Sequence, residues 1–133
     1  MSISKMAAGI FGAVYLLVGI LGFVPMLGGS VGLESSNLLG LFAVNGVHNV
    51  VHIAVGVAGL AAYSQGPRLS TLFAQVVGSV YAVLAVTGLV FGSGNFLGLV
   101  PIGGLDVVLH AATAAALLYV GFAVSRSSRH LAA

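Results

Sequence analysis

The chain has 133 residues, 59% of them hydrophobic and 5% charged, with four Lys/Arg against two Asp/Glu and a mean hydropathy of +1.19. Six charged side chains cannot clothe a water-soluble domain, so a soluble globular protein is excluded. The net charge of +2 forms no basic patch of the kind a nucleic-acid surface needs. The lack of cysteine removes disulfides, iron–sulfur clusters, thiolate metal sites and thiol catalysis together.

Four long apolar stretches follow one another, about Met6 to Leu27, Leu38 to Tyr63, Thr71 to Phe91 and Leu105 to Val124. Each is near the ~20 residues that cross a hydrocarbon core of about 30 Å. We read them as four transmembrane helices of one transmembrane domain spanning residues 1–133. Lys5 ahead of the first run is reminiscent of a signal peptide, but the run is long, lacks an A-x-A cleavage site and has a copy downstream, so it is expected in the mature protein. "GGSVGLESSN" (28–37), "SQGPRLS" (64–70) and "GSGN" (92–95) punctuate the runs and leave no room for a second domain. Lys5, Arg68, Arg126 and Arg129 all fall at one set of helix ends, whereas the other set carries only Glu34. The positive-inside rule then puts both termini in the cytoplasm.

The two halves resemble each other. "GAVYLLVGILG" (12–22) matches "GSVYAVLAVTG" (78–88) at Gly12/Gly78, Val14/Val80, Tyr15/Tyr81 and Gly22/Gly88. "NLLGLFAVNGVHNVVH" (37–52) matches "NFLGLVPIGGLDVVLH" (95–110), pairing Asn37 with Asn95, Gly40 with Gly98, and His52 with His110, with His48 opposite Asp106. The predicted fold is therefore an all-α integral membrane four-helix bundle built from two duplicated helical hairpins, about 9–63 and 75–124. Because the hairpins run parallel, a pseudo-twofold axis lies along the membrane normal. The matched segments ahead of the second and fourth helices, one containing Pro101, are expected to be partly helical, bent or interfacial.

Polar groups are confined to faces. At about 100° per residue, Asn45, His48, Asn49, His52, Gly56 and Gly59 share an arc of roughly 100°, and Asp106, His110 and Thr113 share one of roughly 60°. A carboxylate at mid-membrane costs about 2.5–3.5 kcal/mol, so these faces are predicted to turn inward and meet. Tyr15 and Tyr81 lie inside the first and third helices and join the cluster. Tyr63 and Tyr119 fall near the cytoplasmic ends, as interfacial belt residues do.

Histidines at i and i+4 on one helix, with Asp and His at i and i+4 on another, can converge four N/O ligands: His48, His52, Asp106 and His110. Asn45, Asn49, Tyr15 and Tyr81 stand in support. That donor set suits Zn, Cu, Fe or Mn. His52 and His110 are also the pair that could ligate a b-type haem axially, although no Arg or Lys lies nearby for the propionates. Asp/His chains in membranes mark proton or ion relays as well. The plainest alternative is that the groups hydrogen-bond across helices and lock the packing, with bonds of about 0.6 kcal/mol each. No P-loop, nucleophile elbow or carboxylate pair is present, which points away from an enzyme. An accessory subunit of a larger membrane complex, or a homo-oligomer, would use the small-residue faces as contacts.

The N-x-x-H-N-x-x-H run (Asn45, His48, Asn49, His52) and the later D-x-x-x-H (Asp106, His110), set in four helices, resemble a family of small four-helix bacterial membrane proteins. That family is common in actinobacteria and catalogued as a domain of unknown function. The resemblance spans essentially the whole chain and implies a bacterial inner-membrane location without naming an activity.

Overall fold

In the computed structural model, residues 1–92 and 94–124 are described, and they form four long apolar helices packed as a bundle. The helices are α1 (Ile3–Leu21), α2 (Gly46–Gln65), α3 (Pro67–Phe91) and α4 (Leu105–Leu118), the last extended by a π-helical stretch over Tyr119–Val124. Two short antiparallel hairpins stand at one end: β1 (Ser36–Leu38) with β2 (Phe42–Val44), and β3 (Gly94–Phe96) with β4 (Val100–Ile102). The protein is thus mostly helical rather than all-α. Ile10, Val14, Leu17, Val57, Val80, Val83 and Val108 point outward from the bundle. An apolar exterior of this kind on helices of membrane-spanning length marks a membrane protein.

Several boundaries differ from the sequence expectation for physical reasons. The first helix stops at Leu21 instead of Leu27, because Gly22 caps it by donating to Val18 O. Pro25 follows, which holds Val24 in extended backbone (φ −90, ψ 107). The second helix starts at Gly46 instead of Leu38, since Leu38 to Asn45 are spent on the hairpin and the N-cap. The third starts at Pro67 instead of Thr71. Gly66 alone, at φ +111, makes the turn from α2, and Pro67 is suited to the first helical turn because it has no N–H to leave unpaired.

Both hairpins close on a Leu-Gly pair with positive φ, Leu39 and Gly40 in one and Leu97 and Gly98 in the other. Leu41 N–H donates to Leu38 O at 3.0 Å, and Leu99 N–H to Phe96 O at 3.0 Å. These are tight turns of the type I′ kind. A bridge between Phe42 and Gly104 joins the first hairpin to the lead-in of α4.

α1 packs chiefly on α2 and α3 on α4, while α3 also contacts α1 and α2. Glycines bring α1 and α2 close: a Cβ on Gly12 would stand 2.7 Å from Leu60 N and 2.9 Å from Gly59 C. Backbone cannot yield as a side-chain tip can, so Gly12→Ala is expected to lower stability by about 1–3 kcal/mol, the usual cost of overpacking. Gly32→Ala, with nothing within 4 Å, serves as the neutral control. Denaturant titration of the two variants in detergent measures the difference, and equal stabilities would contradict the close approach.

The interior is graded along the axis. Toward the Lys5/Arg68 end it is mostly apolar, with Ala7, Ala74 and Leu117 in one cluster, Ala8, Ala62 and Phe73 in another, and the buried Ser70 hydroxyl donating to Ala62 O at 3.0 Å. Tyr15, Tyr81 and Ala114 form the next layer, and the histidines and Asp106 lie beyond them toward the hairpins. Lys5 Nζ sits 5.0 Å from the ring centroid of Tyr63, and both Tyr63 and Tyr119 are exposed. Arg126 and Arg129 lie outside the described residues.

Candidate metal centre

The hairpin loops set where α2 begins, and that start fixes the polar side chains. Asn45 caps the helix: its Oδ1 accepts from His48 N–H at 2.9 Å. Its Nδ2 donates to Leu33 O at 3.2 Å and to Leu99 O at 2.7 Å, tying both hairpin regions to the cap. From this start the helical period carries His48, Asn49, His52, Gly56 and Gly59 to the buried face, the face the sequence periodicity selects. On α4 the same logic buries Asp106, His110 and Thr113.

His48, His52 and His110 come together with one ligating atom each within 4.8 Å of one another. They are 2%, 3% and 2% exposed, and Asp106 is 1% exposed. His48 Nε2 and His52 Nε2 are 3.0 Å apart, so in a neutral pair one ring donates the proton the other accepts. The ring centroids of His48 and His52 lie 6.3 Å and 6.5 Å from that of His110. Asp106 is buried one turn before His110 but falls outside the group of three. The backbone of Ala43, in β2, is its hydrogen-bonding neighbour.

The supporting residues divide. Tyr15 packs edge-on against His52 with centroids 5.0 Å apart, and Tyr81 lies 4.9 Å from His110. The Tyr15 hydroxyl is hydrogen-bonded to Thr113 Oγ1 at 2.9 Å, a partner that sequence reading placed on the face without pairing it. Asn45 and Asn49 are buried but turn away from the histidines. Asn49 Nδ2 donates to Gly22 O at 2.6 Å and to Ser30 O at 2.9 Å, so it anchors the loop after α1. Interhelical bonds in membranes average about 0.6 kcal/mol, so a double-mutant cycle over Tyr15→Phe and Thr113→Val is expected to give a coupling near that value. A coupling above about 2 kcal/mol would assign Tyr15 a larger role.

The donor set fits a transition metal. Two nitrogens bound to one tetrahedral ion at 2.0–2.1 Å stand about 3.3–3.4 Å apart, close to the His48–His52 separation. Nδ1 of His52 and His110 and Oδ2 of Asp106 have no hydrogen-bond partner among the described residues, while the backbone of Ala43 neighbours His48 as well as Asp106. Each such buried group costs about 1–3 kcal/mol. The rings of His48, Tyr15 and Tyr81 pack against His52 and His110.

The chain is therefore a four-span membrane protein with a buried three-histidine group that could hold a metal ion. No curated protein and no solved structure matches it. Residues 5–123 match the family described as "Domain of unknown function (DUF4383)", and the chain belongs to that family.

Proposed function

We propose that this protein is a small multi-pass protein of the bacterial inner membrane whose His48, His52 and His110 bind one transition metal ion, Zn, Cu, Fe or Mn, with Asp106 as the adjacent carboxylate. The observation that carries this reading is the convergence of three buried imidazoles from two helices within 4.8 Å. Three neutral nitrogens leave a tetrahedral ion one further position, and Asp106 or a water takes it. The test is elemental analysis of protein purified in detergent from metal-replete cells. About one metal per chain supports the reading, and a folded, metal-free protein overturns it.

A second reading, that the same groups lock helix packing, draws support from the direct His48–His52 contact. It expects His52→Ala to destabilise the protein with no metal to lose.

We also infer that the fold arose by duplication of a helical hairpin. Contacts repeat at the offsets of the sequence match. A Cβ on Gly12 would meet Gly59 and Leu60, and one on Gly78 would meet Leu117 and Leu118. Gly9 faces Tyr63 as Gly121 faces Gln75, and Tyr15–His52 is repeated by Tyr81–His110. On this reading a pseudo-twofold axis along the membrane normal brings His52 and His110 to equal depth. With Lys5 and Arg68 at the end opposite the hairpins, both chain termini face the cytoplasm.

A further inference from the structure

An ion bound at the histidines has to pass either the hairpin end or the Lys5/Arg68 end of the bundle, and the two ends differ. At the hairpin end a cleft of about 380 Å³ lies between the two β-hairpins, lined by Asn37, Ala43, Asn95, Gly103 and Gly104 among others. We propose that this cleft is the port through which a hydrated divalent transition cation reaches the three-histidine group, with Asp106 as the carboxylate at its floor. This rests on the metal reading above.

Two lining residues touch Asp106 directly. Asp106 N–H donates to Gly103 O at 3.2 Å, and the backbone of Ala43 hydrogen-bonds its carboxyl group. Asp106 is fully buried and its Oδ2 lacks a partner among the described residues, so an oxygen ligand waits just beneath the cleft. One helical turn further along α4 stands His110. Asn37 and Asn95 also line the cleft and bring two carboxamides, whose oxygens are of the type that replaces water around a divalent cation.

Charge favours the same end. Both carboxylates of the chain, Glu34 and Asp106, belong to the hairpin end, whereas Lys5 and Arg68 belong to the other. A cation is drawn to the first and repelled from the second. The larger cleft at the far end, about 850 Å³, is lined by Arg68 and is separated from the histidines by the alanine, Phe73, Leu117 and tyrosine layers. The port walls are also tied in place: Asn45 bonds both hairpin regions, and Phe42 bridges to Gly104.

The chain has no cysteine, so Ala43→Cys introduces a single thiol into the port. The probe is Co²⁺ added to metal-stripped protein, followed by its visible absorption. Labelling Ala43→Cys with a trimethylammonium methanethiosulfonate is expected to slow Co²⁺ uptake at least tenfold, with the final Co²⁺ content unchanged and the rate restored by a reducing agent. The same label on Ser64→Cys, an exposed site near the far end of α2, is expected to leave the rate unaltered. Stoichiometric labelling of Ala43→Cys with an unchanged uptake rate overturns the port while leaving the metal site standing. Wild-type protein that takes up no Co²⁺, Zn²⁺ or Mn²⁺ overturns the metal reading and the port with it.

Discussion

Alanine in place of His52 is expected to weaken transition-metal binding at least about 100-fold while the bundle stays folded. Loss of an outer-shell partner lowers metal affinity 10- to 100-fold, and loss of one of three protein ligands exceeds that. His52 is the central member: its Nε2 lies 3.0 Å from that of His48, and its ring faces both Tyr15 and His110. His110→Ala is expected to match it, because without His110 only two imidazole donors, both on α2, remain. Isothermal titration of stripped protein with Zn²⁺ measures both. Helix locking gives the opposite pattern, a loss of stability in His52→Ala with Zn²⁺ affinity absent in wild type and variant alike. The distinction is sharp because the rings touch side chains of all four helices, so either role leaves its own signature.

The largest loss of stability is expected at Asn49, a residue that makes no hydrogen bond to the histidines. Its carboxamide is fully buried and holds two backbone carbonyls, Gly22 O at the end of α1 and Ser30 O in the loop beyond. Asn49→Ala removes both donors and leaves Ser30 O without that partner. At about 1 kcal/mol for the bond to Gly22 O, which keeps Ser30 N–H as a donor, and 1–3 kcal/mol for the stranded Ser30 O, the cost is about 2–4 kcal/mol. Asn49→Asp is expected to cost more, since it removes the donors and buries a charge. Val50→Ala, next along the helix and facing outward, is expected to change stability by about 0.5 kcal/mol. Denaturant titration separates the three. Metal affinity of Asn49→Ala within tenfold of wild type supports its placement as a loop anchor, and complete loss of binding would move it into the site.

The spans and the polar faces were legible because both depend on composition and helical period. The arc holding His48, Asn49, His52, Gly56 and Gly59 is the buried face of α2, and Asp106, His110 and Thr113 are buried on α4. The hairpins were not legible. Their turns use Leu39 and Leu97 at φ 54 and 52, where asparagine or aspartate ordinarily signals a tight turn, and three-residue strands are too short to show alternation. "NLLGLFAVNG" therefore reads as a continuation of the apolar run. The roles of Asn45 and Asn49 were hidden for a related reason, because their partners are carbonyls of loops whose path no periodicity describes. Asp106 was visible as an equivalent of His48, yet only the fold places it under β2 and outside the close group of three histidines.

X-ray absorption at the metal edge of the purified protein counts the ligands of a bound ion directly. About one metal per chain is expected, with three imidazole nitrogens at about 2.0–2.1 Å and one further light ligand. A stoichiometric metal without imidazole scattering, or a folded protein with no metal at all, would contradict it.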